Sequence, residues 1–178
     1  MKLIAWLWNP WEKYKTTRHN VWFRFIDAWV DNKWLWIWKY EGKYKSEIIQ
    51  TELNWEKLII CKPQTFMNLS WEAVAPIARF YKIEPSNILI IHDEIDFVTA
   101  RIALKFWWSP AWHNGLKSII EKLWTKDFWR LRIWIDRPAT SKQVVDRVLS
   151  SFKPEEKKNL IEKEDEIFNL IEEFIENK

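Results

Sequence analysis

Apolar residues fall into short runs of two kinds along the chain. Lys2–Trp8 is a compact apolar run closed by Asn9-Pro10, which predicts a buried strand ending in a loop. Between Asn20 and Asp31, the positions of Val21, Phe25, Ile26 and Trp29 follow helical spacing. Tyr44–Thr51 and Lys57–Cys61 read as strands around Asn54-Trp55, a hairpin turn of the Asn-Gly kind had residue 55 been glycine. Pro63 ends the second of these, and Trp34–Tyr40 fits either period.

Further along, Ser70 is placed to cap a helix through Tyr81, with Pro76 as a flaw inside it. Asn87–His92 contains the run ILII, which predicts a strand buried on both faces. Ala100–Phe106 and Arg130–Ile135 read as strands, and Asn114–Leu123 as a helix opening at Gly115. Ser141–Ser151 is expected as a helix with Val144, Val145, Val148 and Leu149 on its apolar face. Pro154 suits the first turn of a last helix, which carries Leu160, Ile161, Ile167, Phe168, Ile171, Phe174 and Ile175. Strands and helices interleave without repeat or linker. The expectation is one α/β domain over residues 1–178, built on a mixed β-sheet flanked by helices, with a C-terminal acidic helix at about 154–176.

Composition narrows the classes. The chain of 178 residues is 48% hydrophobic and 30% charged, enough for a packed core. No apolar run reaches the roughly 18 residues of a spanning helix. The N-terminal run reads as a first strand rather than a signal peptide, because charged residues follow at once. A single cysteine, Cys61, excludes an intramolecular disulfide framework and suits a reducing compartment. Residues 153–178 hold nine acids against five lysines, so the net +3 of the chain divides into +7 on residues 1–152 and −4 on the tail. A basic body permits a polyanionic partner, and equally serves plain solubility.

Glycine and tryptophan are out of proportion, with 2 Gly and 16 Trp. Several tryptophans stand where a glycine is natural: Trp8 before Asn9-Pro10, Trp11 after it, Trp107-Trp108 before Ser109-Pro110, Trp112 before His113. The sequence reads as if most of its glycines had been replaced by tryptophan.

Polar residues gather where predicted strands end, the usual place for ligand sites in α/β folds. The clusters are Asn9-Pro10, Thr17-Arg18-His19-Asn20, Phe66–Ser70, His92–Asp96 and His113-Asn114-Gly115. Each has a plain structural reading as well: Asn9 shapes a turn, Asn20 caps its helix, Asp93 solvates a loop, His92 ends a strand. A metal site of His92, Asp93, Asp96 and His113 can be drawn but follows no firm ligand spacing. No G-x-S-x-G elbow accompanies a serine, and Cys61 lies within an apolar strand, as an inert core thiol would. What remains is histidine with aspartate and amides. A neutral imidazole takes a proton from water, a carboxylate orients it, and amides hold a carbonyl or the water. That set suits ester or amide hydrolysis.

Together the stretches KLIAWLWNPWEKYKTTRHNVWF, KPQTFMNLSWEAV, ILIIHDEID, LKFWWSPAWHNGLKSII and FWRLRIWIDRP resemble the bacterial peptidyl-tRNA hydrolase family over essentially the whole chain. Reading glycine at positions 6, 8, 11, 22, 71, 107, 108, 112, 124, 129 and 134 restores the family's glycine pattern. The resemblance implies a single α/β domain with a twisted mixed sheet, working as a cytoplasmic monomer without metal or cofactor, with no membrane and no protein partner. It implies hydrolysis of the ester between a peptide and the 3′-terminal ribose of tRNA, with His19 as the base that activates water and Asp93 as its acidic partner. Asn9, Asn68 and Asn114 match the amides of the substrate site; Phe66, Met67 and Tyr14 match its walls. Lys105 and Arg132 are candidates for contact with tRNA phosphates, with ordinary surface charge as the alternative.

Two competing readings remain: a non-catalytic RNA-binding module that stacks bases on its tryptophans, and an aromatic-rich interaction surface. Tryptophan in glycine's place is itself expected to weaken the fold. Each such residue at φ > 0 costs about 1–2 kcal/mol, and forcing bulk into a packed core costs about 1–3 kcal/mol.

Overall fold

The computed structural model describes the chain except residues 11–13, 15, 36, 96–100, 108, 111–112, 135–148 and 178; at 19, 21–23 and 157 it describes the main chain only. Among the described residues, seven strands form one sheet in the order β2-β3-β4-β1-β5-β7-β6. They are β1 (Lys2–Trp6), β2 (Lys39–Glu41), β3 (Ser46–Leu53), β4 (Glu56–Pro63), β5 (Ile88–Glu94), β6 (Ile102–Phe106) and β7 (Trp129–Trp134). The central strands β4, β1, β5 and β7 run parallel, while β2, β3 and β6 add antiparallel edges. The sheet is therefore mixed.

Helices cover both faces, which is why β1 and β5 are buried at every position. On one face, Ile4 and Trp6 of β1 and Leu89 and Ile91 of β5 meet Phe25, Ile26, Trp29 and Val30 of α1 (Val21–Asn32). The same core takes Leu160 of α4 (Pro154–Ile161) and Ile167, Ile171, Phe174 and Ile175 of α5 (Glu164–Glu176). On the other face, Leu3, Ala5 and Leu7 alternate with that set and meet α2 (Trp71–Phe80) and α3 (Asn114–Leu123).

The β3–β4 hairpin turns through Asn54 and Trp55, at φ 50° and 65°. Both central residues are left-handed, as a type I′ turn requires, and Trp55 meets that demand by leaving its ring 94% exposed. Cys61 is buried beside the Ser46 hydroxyl at 3.2 Å, and burial pushes its thiol up to about 12, so it is inert at neutral pH.

Two helix starts are reached differently from expectation. Ser70 and Asn20 stand at the N-cap positions of α2 and α1, but neither side chain caps. Ser70 donates its hydroxyl to the Met67 carbonyl at 2.8 Å, and Asn20 bonds a distant loop; in both cases a 3₁₀ turn leads into the helix instead. The acidic C-terminal segment is two helices rather than one. The chain restarts at Glu164, which puts Glu164, Asp165 and Glu166 in a first turn, where the helix dipole favours acids. Ile161, expected on the apolar stripe, is 52% exposed at the break. Of the helix expected over Ser141–Ser151, residues 141–148 lie outside the described residues.

Candidate active site

The parallel strands β1, β4, β5 and β7 all end at the same edge of the sheet, and the polar clusters gather there. Asn9 follows β1. Phe66, Met67 and Asn68 follow β4, with Met67–Leu69 forming a 3₁₀ turn. Asp93 lies in β5, in the strand position after His92.

Asn20 connects the His19 segment to this edge. The 3₁₀ turn Arg18–Asn20 carries His19. The Asn20 amide group donates to the Asn9 carbonyl at 2.6 Å, and its Oδ1 accepts from the Asn9 N–H at 3.0 Å. Leu7, two residues before Asn9, donates its N–H to the Ile91 carbonyl at 2.9 Å. The turn with His19 is thereby tied to the end of β1, which runs beside the end of β5. Asp93 has the strand parity of Leu89 and Ile91 on the α1 face, but at the strand end its carboxylate reaches His113 at the start of α3. The His19 side chain itself lies outside the described residues.

Asp93 is buried, and its Oδ1 stands 3.3 Å from Nε2 of His113. His113 caps α3: its Nδ1 accepts from the Leu116 N–H at 3.3 Å. Those two bonds select the neutral tautomer with the proton on Nε2, which donates to the carboxylate. His92 lies edge-on to His113, with ring centroids 5.0 Å apart, and bonds the Asp93 carbonyl through Nδ1 at 2.8 Å. A carbonyl only accepts, so Nδ1 carries the proton. Burial, and then the His113 ring, hold the His92 pKa well below 6.5, so it stays uncharged. The two histidines and Asp93 thus form a hydrogen-bonded group. Among the described residues no cluster of three or more His, Cys, Asp or Glu is placed to hold a metal, and Asp96 lies outside them.

Helix α3 reaches this edge through Gly115. A Cβ there would stand 2.8 Å from Leu7 Cδ1 and from Met67 Sδ. The bare backbone lets the first turn of α3 sit against both, which brings Asn114 to the same end of the sheet. Asn114 and Asn68 are exposed, Phe66 is exposed, and Met67 is half-buried against the α2–α3 core. Tyr14 is half-buried in the turn before His19, where its carbonyl accepts from the Thr17 N–H and hydroxyl.

The two basic residues separate. Lys105 is exposed on β6, paired across the ladder with Arg130, three residues before Ile133, which is level with Asp93. Arg132 is only 4% exposed, and its Nε and Nη2 donate to Glu94 Oε2 at 3.2 and 2.8 Å. Its guanidinium is spent on a buried ion pair, so the expected phosphate contact is withdrawn for Arg132. A groove lined by Trp34, Leu35 and Ile48–Thr51 lies at the far β2 edge and takes no part in the site.

Comparison with known proteins places the chain in a family. The peptidyl-tRNA hydrolase family model matches residues 3–178. The chain belongs to the peptidyl-tRNA hydrolase family. It is 44% identical over 151 residues to the peptidyl-tRNA hydrolase of Dichelobacter nodosus, covering 85% of this chain and 79% of that one. It is 37% identical over 180 residues to that of Oceanobacillus iheyensis, covering 100% and 94%. The crystal structure of the Acinetobacter baumannii peptidyl-tRNA hydrolase superposes with a TM-score of 0.88 at 29% identity, covering 98% of this chain and 92% of that one.

Proposed function

We propose that this hydrolase cleaves the ester joining a peptide to the 3′-terminal ribose of tRNA, with His19 as base and Asp93 as its carboxylate partner. His19 removes a proton from water as the oxygen attacks the ester's acyl carbon. The tetrahedral intermediate collapses by breaking the bond to the ribose oxygen, which takes the proton back from the imidazolium. The products are the peptide's carboxylic acid, which then loses its proton to solvent, and a tRNA with its hydroxyl restored. Asn9, Asn68 and Asn114 hold the peptide's terminal amides, the water or the developing oxyanion, with Phe66, Met67 and Tyr14 around them.

The observation that carries this reading is the pair of bonds between Asn20 and Asn9 beside the β1–β5 ladder. They tie the turn that bears His19 to the loop after β1, the strand beside β5, in which Asp93 lies. The Nε2–H of His113 points at the Asp93 carboxylate, and a hydrogen bond to the ionised form favours the anion proposed to support an imidazolium. Lys105 remains the proposed phosphate contact. A tRNA held by phosphates and shape needs no base readout, and the basic body of the chain favours it. The working form proposed is a cytoplasmic monomer; among the described residues no helix is long and apolar enough to cross a membrane.

The test is release of labelled peptide from peptidyl-tRNA by the purified chain, with unacylated tRNA as competitor. Multiple turnovers without added metal or cofactor support the reading. Stoichiometric tRNA binding without peptide release would favour the RNA-binding module.

A further inference from the structure

The catalytic turn is also gripped from its other side. Arg18, immediately before His19, is 1% exposed although it carries a charge. Its Nη2 donates to Glu156 Oε2 at 2.5 Å, its Nε donates to the Ser150 hydroxyl at 3.1 Å, and its main-chain N–H donates to the Ser150 carbonyl at 2.8 Å. The guanidinium lies 4.4 Å from the centre of the Phe152 ring, and Thr17 bridges to Ser151. Glu156 is itself fixed, because the same Oε2 accepts from the Lys153 N–H at 2.7 Å at the start of α4. A carboxylate bound from two sides is a stiff anchor, and a buried guanidinium held by it has one orientation.

We propose that Glu156 is a positioning residue for His19, acting through Arg18: the start of the acidic C-terminal helices sets the place of the turn that bears the base. The proposal rests on the reading of His19 as base, and it gives the C-terminal segment a part in catalysis without any contact to RNA. An error of about 1 Å in a catalytic group can cost about a hundredfold in rate.

The chain has three histidines, so ring NMR signals of His19, His92 and His113 report separately on the site. In Glu156→Ala, the His19 signals should shift or broaden while His92 and His113 keep theirs. The kcat for peptide release should fall about tenfold or more with KM little changed. Glu156→Gln, which keeps an acceptor for Lys153 and Arg18, should recover most of the rate, and it serves if Glu156→Ala does not fold. Unchanged His19 signals, or equal shifts in all three histidines, would overturn the proposal. A shift confined to His19 with unchanged peptide release would uphold the positioning and overturn His19 as the base.

Discussion

Asn20 holds the main chain of Asn9 from both sides, donating to its carbonyl at 2.6 Å and accepting from its N–H at 3.0 Å. The side chain does for the loop what a neighbouring strand would do, and it does so one residue from His19. Asn20→Ala leaves both main-chain groups without that partner, a loss of about 1–3 kcal/mol. Urea unfolding should show the loss, and peptide release should fall at least about tenfold as Asn9 and the His19 turn drift apart. Unchanged stability and unchanged release would contradict the tie.

Gly115 sets the approach of α3. An added methyl would meet Leu7 and Met67 at 2.8 Å and His113 Cε1 at 3.1 Å. Met67 is flexible enough to yield, so Gly115→Ala should cost about 1–3 kcal/mol rather than unfold the chain. Because Met67 is displaced from the proposed substrate wall, steady-state kinetics should show KM raised more than kcat is lowered.

The buried His92 makes stability fall on the acid side. Its folded pKa lies below 6.5, so between those values the unfolded chain binds a proton that the folded chain refuses. Stability therefore drops as pH falls through about 6.5 and is unaffected by this group above about 7, with a limiting slope of about 1.4 kcal/mol per pH unit. Melting from about pH 7.5 to about pH 5 should show a steeper decline for the wild type than for His92→Gln. Parallel declines would remove His92 as the cause.

The tryptophans divide by backbone geometry. Seven described residues other than glycine have positive φ, and four of them are Trp34, Trp55, Trp107 and Trp124. Trp124 ends α3 in the left-handed conformation with its ring 88% exposed. Glycine is the residue such positions favour. Trp55→Gly and Trp124→Gly should each relieve about 1 kcal/mol of strain and raise Tm by about 2–4 °C. Trp29 is buried in the α1 core, and its indole N–H has no hydrogen-bond partner among the described residues. Trp29→Gly should instead lower stability by about 3–5 kcal/mol. A fall in Tm for Trp55→Gly would contradict the strain argument.

The fold was legible where one period dominated. The ILII run gave β5, the hydrophobic pattern gave β1, and Asn114–Leu123 is helical over its expected length. The side-chain roles of Asn20 and Ser70 were not legible, because their partners are set by tertiary structure rather than by the following turn. Arg132 shows the same limit: a basic residue on a strand looks like surface charge until Glu94, on the next strand, is placed beside it. His113 stood out in a polar cluster, and the one specific role weighed for it was that of a metal ligand. Its position one residue before a helix start was the sign of the capping role that turns its Nε2–H toward Asp93. The gathering of the five polar clusters was legible in outline, since each followed a strand or opened a helix in a fold whose strand ends collect ligand sites.

The most direct measurement compares His19→Ala with the wild type for peptide release from peptidyl-tRNA and for tRNA affinity. With His19 as the base, kcat falls by about 10²–10⁴ while the dissociation constant for tRNA changes less than about twofold. Release at a near wild-type rate, or loss of tRNA binding in step with the loss of release, would contradict that role.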